Sequence, residues 1–402
     1  MQAQALSPIN ENYAEIRRQV SQTPSFAERS ITTLAKYLTK NTKNDTERAY
    51  AIFYWLSQNV AYDTQGFFSG SYGDLSPAGV LRSRKAVCSG YSRLFTGLAK
   101  AAGLEVVEIT GVSKGYGFST NGTLGDHAWN AVKIKGQWRL IDSTWGAGFL
   151  NEGNKFQRKL ENFYFFTPPE QFIHDHFPNN SKWQLLKSPI SKTKFKQLVY
   201  LTGNFFKYGI ELYSHHQSLI KVKNQLTVSL LAPKNVVFLT TLSTKNGQKL
   251  DKTLTFSQRN GKRQVIQAVF PHKGLFTLKV FAKNNYKTGA YDQVLEYTVQ
   301  AKPSSIGKIG FPKTYGDFNT RETYLYNPKI YTLKSGQRYY FKIKIPGAFK
   351  VAVIDNRGWH FLDKRGQIFS GYVSASKGRI TLSAKLHRNK NSYATLVEYK
   401  GE

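Results

Sequence analysis

The apolar pattern of this chain changes period once and does not change back. After Asn44, the residues Ala49, Ile52, Phe53, Leu56 and Val60 recur at the spacing that gives a helix one buried face. A further helix is predicted from Cys88 to Ala102, stopped by Gly103. Ser25 stands three residues before Glu28, and Asn44 three before Glu47, so each pair matches a capping box at a helix start. A Gly-, Ser- and Tyr-rich loop occupies residues 63–77. Past Gly103 the runs read as strands, at Glu105 to Gly111, His127 to Ile134 and Gln137 to Ser143. Helices followed by a meander of strands predict an α+β domain.

From Lys187-Ser188-Pro189 onward only short alternating runs remain, among them Leu226 to Leu231, Val236 to Leu242, Val265 to Phe270 and Phe276 to Phe281. Asn260-Gly261 is a hairpin turn signal. A second break falls at Lys302-Pro303-Ser304-Ser305, followed by Tyr339 to Ile345, Phe349 to Ile354 and Ile380 to Leu386. Strands without helical periodicity predict two β-sandwich modules of roughly 100 residues each. The expected domains are therefore 1–187, 188–302 and 303–402, within a chain of 402 residues.

Composition narrows the function classes. No stretch approaches the roughly 18 uninterrupted apolar residues of a membrane-spanning helix, so no transmembrane segment is expected. Lys and Arg number 57 against 25 Asp and Glu, a net charge of +32, which favours an anionic polymer or lipid surface or an acidic protein. The basic residues are spread along the chain, without zinc-finger spacing or an RNP-type motif, so no specific nucleic-acid partner is expected. Cys88 is the only cysteine, which excludes an intrachain disulfide and a cysteine-built metal site. No calcium loop of alternating acidic residues is present. Ala3-Gln4-Ala5 fits the small-x-small end of a signal peptide, so the expected location is extracytoplasmic or secreted, with cytoplasmic as the alternative.

Cys88 opens its predicted helix in VCSGYSRLF, where free N–H groups and the helix dipole favour a thiolate, and Arg84 and Lys85 lie just upstream. His127 sits in GDHAWNAV and Asp142 in LIDSTWGAG. With Lys135-Gly136 as a two-residue hairpin loop, Ile134 faces Gln137, Trp129 faces Asp142, and His127 faces Thr144. His127 and Asp142 then share one face of the sheet. A three-residue loop would turn Asp142 to the other face. Asp126 adjoins His127 but points away. Taken singly, each residue has a structural role open to it: Cys88 as core, His127 as a satisfied strand histidine, Asp142 as a turn former.

The wording around these residues is more specific. Cys-Ser-Gly-Tyr before a helix, then Asp-His-Ala-Trp-Asn, then Asp-Ser-Thr-Trp-Gly, resembles the transglutaminase-like superfamily and, more narrowly, its kyphoscoliosis peptidase-like branch. Tyr62-Asp63, Gly111-Val112-Ser113-Lys114-Gly115, Phe163-Tyr164-Phe165, His176-Phe177-Pro178 and Trp183-Gln184-Leu185-Leu186 extend the likeness over roughly residues 45–187. The resemblance implies a papain/transglutaminase-like catalytic core followed by two β-sandwich, Ig-like domains. It implies Cys88 as nucleophile, His127 as general base and acid, and Asp142 as its orienter, with no cofactor. Cysteine peptidase or amidase action on a protein or peptide through a Cys88 thioester is the expected function. The alternatives are a transglutaminase or protein deamidase using the same thioester, and a binding or scaffold protein with a vestigial triad. Tyr62, Trp129 and Trp145 are expected to wall the cleft. His174-Asp175-His176 reads as a structural turn rather than a metal site, and His215-His216 has no partner in view.

Overall fold

The computed structural model describes residues 13–116, 118, 124–151, 153–302, 310–389 and 391–402. Ala3-Gln4-Ala5 and Pro303-Ser304-Ser305 lie outside the described residues. The chain divides into two compact units, residues 1–196 and 197–402.

In the first unit the helices come first, as the periodicity requires: Ala14–Ser21, Ile31–Thr39, Asp45–Asn59 and Cys88–Ala101 are the longer ones. Their apolar faces meet in one cluster, in which Tyr50, Phe53, Trp55, Tyr91 and Phe95 have no exposed surface. Asn44 caps the third helix by accepting the Glu47 N–H at 3.0 Å. The Glu47 carboxylate accepts from Lys43 N–H at 2.7 Å, one residue short of a full capping box. Ser25 does not behave as expected. It lies inside a 3-10 turn, Ser25–Arg29, that has no side-chain cap, and the capping box forms at Ser30 and Thr33.

Five antiparallel strands follow, in the order Phe165–Thr167, Gln137–Ile141, Gly125–Ile134, Val106–Ser113, His176–Pro178. Both faces are covered, so the central strand alternates between two cores. Val132 and Ile134 join the helical cluster, while Trp129 and Ala131 join Ile109, Leu140 and Phe172. His127 shares the face of Trp129 and pairs with Gly111, while Ser113 pairs with His176. One face of the sheet thus carries both histidines. Gly111 has no alternative there: a Cβ would lie 2.2 Å from the Phe177 carbonyl oxygen and 2.7 Å from the Trp129 ring.

The break expected at Lys187-Ser188-Pro189 lies inside this unit. Gln184 reaches across it, donating to the Ile190 carbonyl at 2.9 Å and accepting the Ile190 N–H at 2.8 Å. Phe195 is fully buried against Phe177, ring centroids 5.2 Å apart.

In the second unit two pairs of facing sheets succeed one another. The first pair is built on Asp292–Ala301, Gly274–Asn284 and Val236–Thr244 against Gln225–Leu231, Arg263–Val269 and Thr255–Asn260. Asn260 pairs with Arg263 across the expected hairpin turn. The second pair is built on Ala394–Gly401, Gly378–Lys385 and Lys350–Asp355 against Arg338–Lys344 and Ile368–Ser374. Each has its own core, but Phe256 of the first pair packs with Phe311 and Phe318 in the core of the second. Gln258 also accepts the Leu325 N–H at 2.9 Å. Both ties lie within a single compact unit.

Phe195→Ala should cost the first unit about 3–5 kcal/mol, the usual penalty for deleting a buried phenyl ring. The measurement is a denaturant melt of the full chain against wild type. A loss under 1 kcal/mol would show that the unit ends before Phe195.

Candidate active site

Cys88 is the first residue of the Cys88–Ala101 helix and is half-buried. Val87 provides no side-chain cap, and the Gly90 N–H turns back to the Val87 carbonyl at 2.9 Å. The two upstream cations are spent elsewhere. Arg84 pairs with Glu28 at 2.7 Å and lies 4.5 Å from the centre of the Trp55 ring, and Lys85 pairs with Asp63 at 2.9 Å. What favours a thiolate at Cys88 is therefore the helix end and its immediate neighbours.

Buried polar bonds fix this helix against the strand that carries His127. Ser92 Oγ donates to the Trp129 carbonyl at 3.1 Å. Asn130 Nδ2 reaches the Ser92 carbonyl at 3.2 Å and the Thr96 hydroxyl at 2.9 Å. Sequence reasoning gave Asn130 no role. The signal was there, in a polar residue within an apolar strand and in Ser92 and Thr96 at helical spacing.

The hairpin has the expected two-residue loop. Ile134 pairs with Gln137, and Lys135 and Gly136 both take positive φ, 49° and 78°, as a type I′ turn requires. Pairing runs up to Asn130 with Ile141 and then stops. Asp142 does not continue the strand, so the expected pairing of His127 with Thr144 does not form. Instead Asp142 caps the short helix Ser143–Ala147, its Oδ1 accepting the N–H groups of Thr144 at 2.8 Å and Trp145 at 3.0 Å. Gly146 lets that helix settle on Phe53, whose ring would lie 2.3 Å from a Cβ.

The other oxygen, Oδ2, accepts from His127 Nε2 at 2.8 Å and from His176 Nε2 at 3.0 Å. Asp142 has no exposed surface, and four donors of the protein reach its carboxylate. Burial opposes its ionisation, but the charge and hydrogen bond of His127, followed by those of His176, hold the carboxyl below the usual range. His127 is 7% exposed. Burial works against a charged ring there, and the Asp142 carboxylate overcomes it, raising His127 well above its ordinary value. With Nε2 taken, Nδ1 serves the hydrogen bond to Cys88. Burial alone would raise the Cys88 thiol. The hydrogen bond and charge of His127, with the Ala128 N–H, outweigh it and lower the thiol below its ordinary value.

The aromatic residues wall this group. The Trp145 ring lies 5.3 Å from His127 and 4.4 Å from His176, and Trp129 lies 5.9 Å and 5.1 Å from the same two rings. Burial, then the neighbouring Cys88, pushes the Tyr62 phenol upward. Asp126 is exposed, paired in register with Val112. His174 and Asp175 lie in the expected turn, but His176 opens a sheet strand, and it and Asp175 are buried. His215 belongs to the second unit, where Nδ1 meets Ser214 Oγ at 2.9 Å.

His127, Asp142 and His176 place three possible metal donors within 4.8 Å. One Asp142 oxygen is already shared by both imidazoles at hydrogen-bond distance, so an ion would have to replace both bonds. The donor set fits a hydrogen-bonded relay better than a cation site.

Comparison with known proteins agrees with the fold. The transglutaminase-like superfamily model matches residues 32–143, and the KY-like, immunoglobulin-like domain model matches residues 192–305. Kyphoscoliosis peptidase of Mus musculus is 35% identical over 66% of this chain and 40% of its own. The Homo sapiens protein of that name is 33% identical over 70% of this chain and 42% of its own. Hillarin of Drosophila melanogaster is 28% identical over 65% and 36%. The chain thus spans about two fifths of the length of these relatives. A solved TGase structure is 20% identical, covers 39% of this chain and 37% of that one, and has a TM-score of 0.23, a likeness that says nothing of function. By its matched domains and its relatives, the chain is a transglutaminase-like protein of the kyphoscoliosis peptidase-like branch.

Proposed function

We propose that this protein is a cysteine acyl-transfer enzyme whose catalytic residues are Cys88, His127 and Asp142. One observation carries the reading: a single imidazole is held by a buried carboxylate on one side and hydrogen-bonds a helix-terminal thiol on the other. The thiolate attacks an amide carbonyl carbon, and the N–H groups at the helix start lie near the oxygen that becomes negative. The His127 imidazolium gives its Nδ1 proton to the leaving amine as the C–N bond breaks, leaving a Cys88 thioester. Water then attacks, His127 takes its proton, and Cys88 leaves as thiolate. Asp142 holds the ring in the tautomer and orientation that both steps need.

The favoured substrate is a protein or peptide amide, which makes the enzyme a peptidase or amidase. The match to the transglutaminase-like model supports a second reading, in which a primary amine rather than water resolves the same thioester. The excess of basic residues would favour acidic substrates or an anionic surface under either reading.

Incubation with a peptide library and a primary amine, read by mass spectrometry, separates the two. New peptide termini mean hydrolysis, and mass gained at glutamine means transfer. Cys88→Ala should abolish both while leaving the melting curve intact, and retained turnover would remove Cys88 from the chemistry.

On whichever substrate responds, Asp142→Asn should lower kcat/KM on the order of 10²–10³. The corresponding change in a serine triad costs about 10⁴, and a thiol depends less on its base. Asp126→Asn should stay near wild type. A larger loss from Asp126→Asn would displace Asp142 from its role.

A further inference from the structure

The first unit buries a second carboxylate–imidazole pair that the proposed reaction does not use. His176 has no exposed surface, and Asp175 is 3% exposed. His176 Nδ1 lies 2.6 Å from Asp175 Oδ1, and its Nε2 lies 3.0 Å from Asp142 Oδ2. Both ring nitrogens face carboxylate oxygens, so a ring protonated at both nitrogens donates to each. The free Asp175 oxygen accepts from the Tyr164 hydroxyl at 3.1 Å. Lys114, also fully buried, is attracted to Asp175, although burial lowers its amine to about 8.

Packing fixes the ring as firmly as the bonds do. Phe172 stacks on it at 3.9 Å and 19°, and Trp145, Trp129 and Tyr164 enclose it at 4.4, 5.1 and 6.0 Å. The charged or titratable groups facing it are Asp142, Asp175, Tyr164 and His127, whose ring is 5.2 Å away. Burying two carboxylates and two imidazoles together is unfavourable unless each is matched. A purely structural core could have been apolar here.

We infer that His176, clamped by Asp175, is a positioning residue that fixes the Asp142 carboxylate toward His127. The inference rests on the reading of Cys88, His127 and Asp142 as the reacting group. It extends the site inward by one imidazole and one carboxylate. Removing His176 takes away one of the two imidazoles that favour the charged form of Asp142, leaving His127 and the N–H groups of Thr144 and Trp145. Its carboxyl then rises, its hold on the His127 imidazolium weakens, and the thiolate–imidazolium pair is lost at a higher pH.

The test is the rate of Cys88 alkylation by iodoacetamide across pH 4–9 in the full chain, with thermal melts alongside. The variants are His127→Ala, His176→Leu, His176→Gln and Asp175→Asn. His127→Ala should return the profile to that of an ordinary thiol. His176→Leu should move the acid limb to higher pH and lower the acid-side rate roughly tenfold to a hundredfold, the usual weight of one hydrogen bond to a charged group. His176→Gln keeps one donor and should recover part of that loss. Asp175→Asn should shift the limb the same way by less. Should His176→Leu fail to fold, the last two variants carry the test. Profiles for the His176 and Asp175 variants that coincide with wild type, with only the melts lowered, would overturn the inference while leaving the triad standing. A His127→Ala profile identical to wild type would overturn the triad reading and this inference with it.

Discussion

A carboxylate with no exposed surface must find a donor for each lone-pair direction or surrender its charge, and Asp142 keeps its charge by drawing on three separate parts of the chain. Two donors are local, the N–H groups of Thr144 and Trp145 at the start of the short helix it caps. One comes from His127 on the neighbouring strand and one from His176 at the far edge of the sheet. Truncating one partner of such a buried ionic group typically costs about 3–5 kcal/mol, because the charge left behind has no other solvation. Sheet register, helix cap and edge strand therefore have to be right together. The two glycines that permit close approach, Gly111 beside the His176 strand and Gly146 beside Phe53, serve this one requirement.

The electrostatics of Cys88 follow from the same arrangement. Arg84 and Lys85 are paired with Glu28 and Asp63, so a long-range positive field at Cys88 is not what lowers the thiol. The work is done within hydrogen-bond reach by His127 and the Ala128 N–H, against the opposing effect of burial. Close, directed interactions of this kind are screened far less by salt than surface charges are, whose influence falls off over about 8 Å at physiological ionic strength.

What was legible in the sequence was whatever local rules decide. The hairpin register could be read because Lys135-Gly136 leaves few turn geometries, and a two-residue loop fixes the pairing from Ile134 with Gln137 up to Asn130 with Ile141. Helix starts and strand runs were visible for the same reason. Competition between local options was not visible. Asp142 could continue a strand or cap a helix, and capping won because it satisfies two N–H groups at once. Ser25 lost its cap role to Ser30. His176 and the boundary beyond Lys187 depend on contacts distant in sequence, through Ser113 and Asp142 for the first and Phe177 for the second. No periodicity records such contacts.

The proposed chemistry requires Cys88 to exist as a thiolate paired with the His127 imidazolium. Because the chain holds a single cysteine, the ultraviolet absorbance of wild type minus Cys88→Ser isolates its thiolate at every pH. A difference signal should already be present at neutral pH and persist on acidification well below the roughly 8.5 of a free thiol, and it should be lost on the acid side in His127→Ala. A signal that emerges only near the free-thiol value, unchanged by His127→Ala, would contradict it.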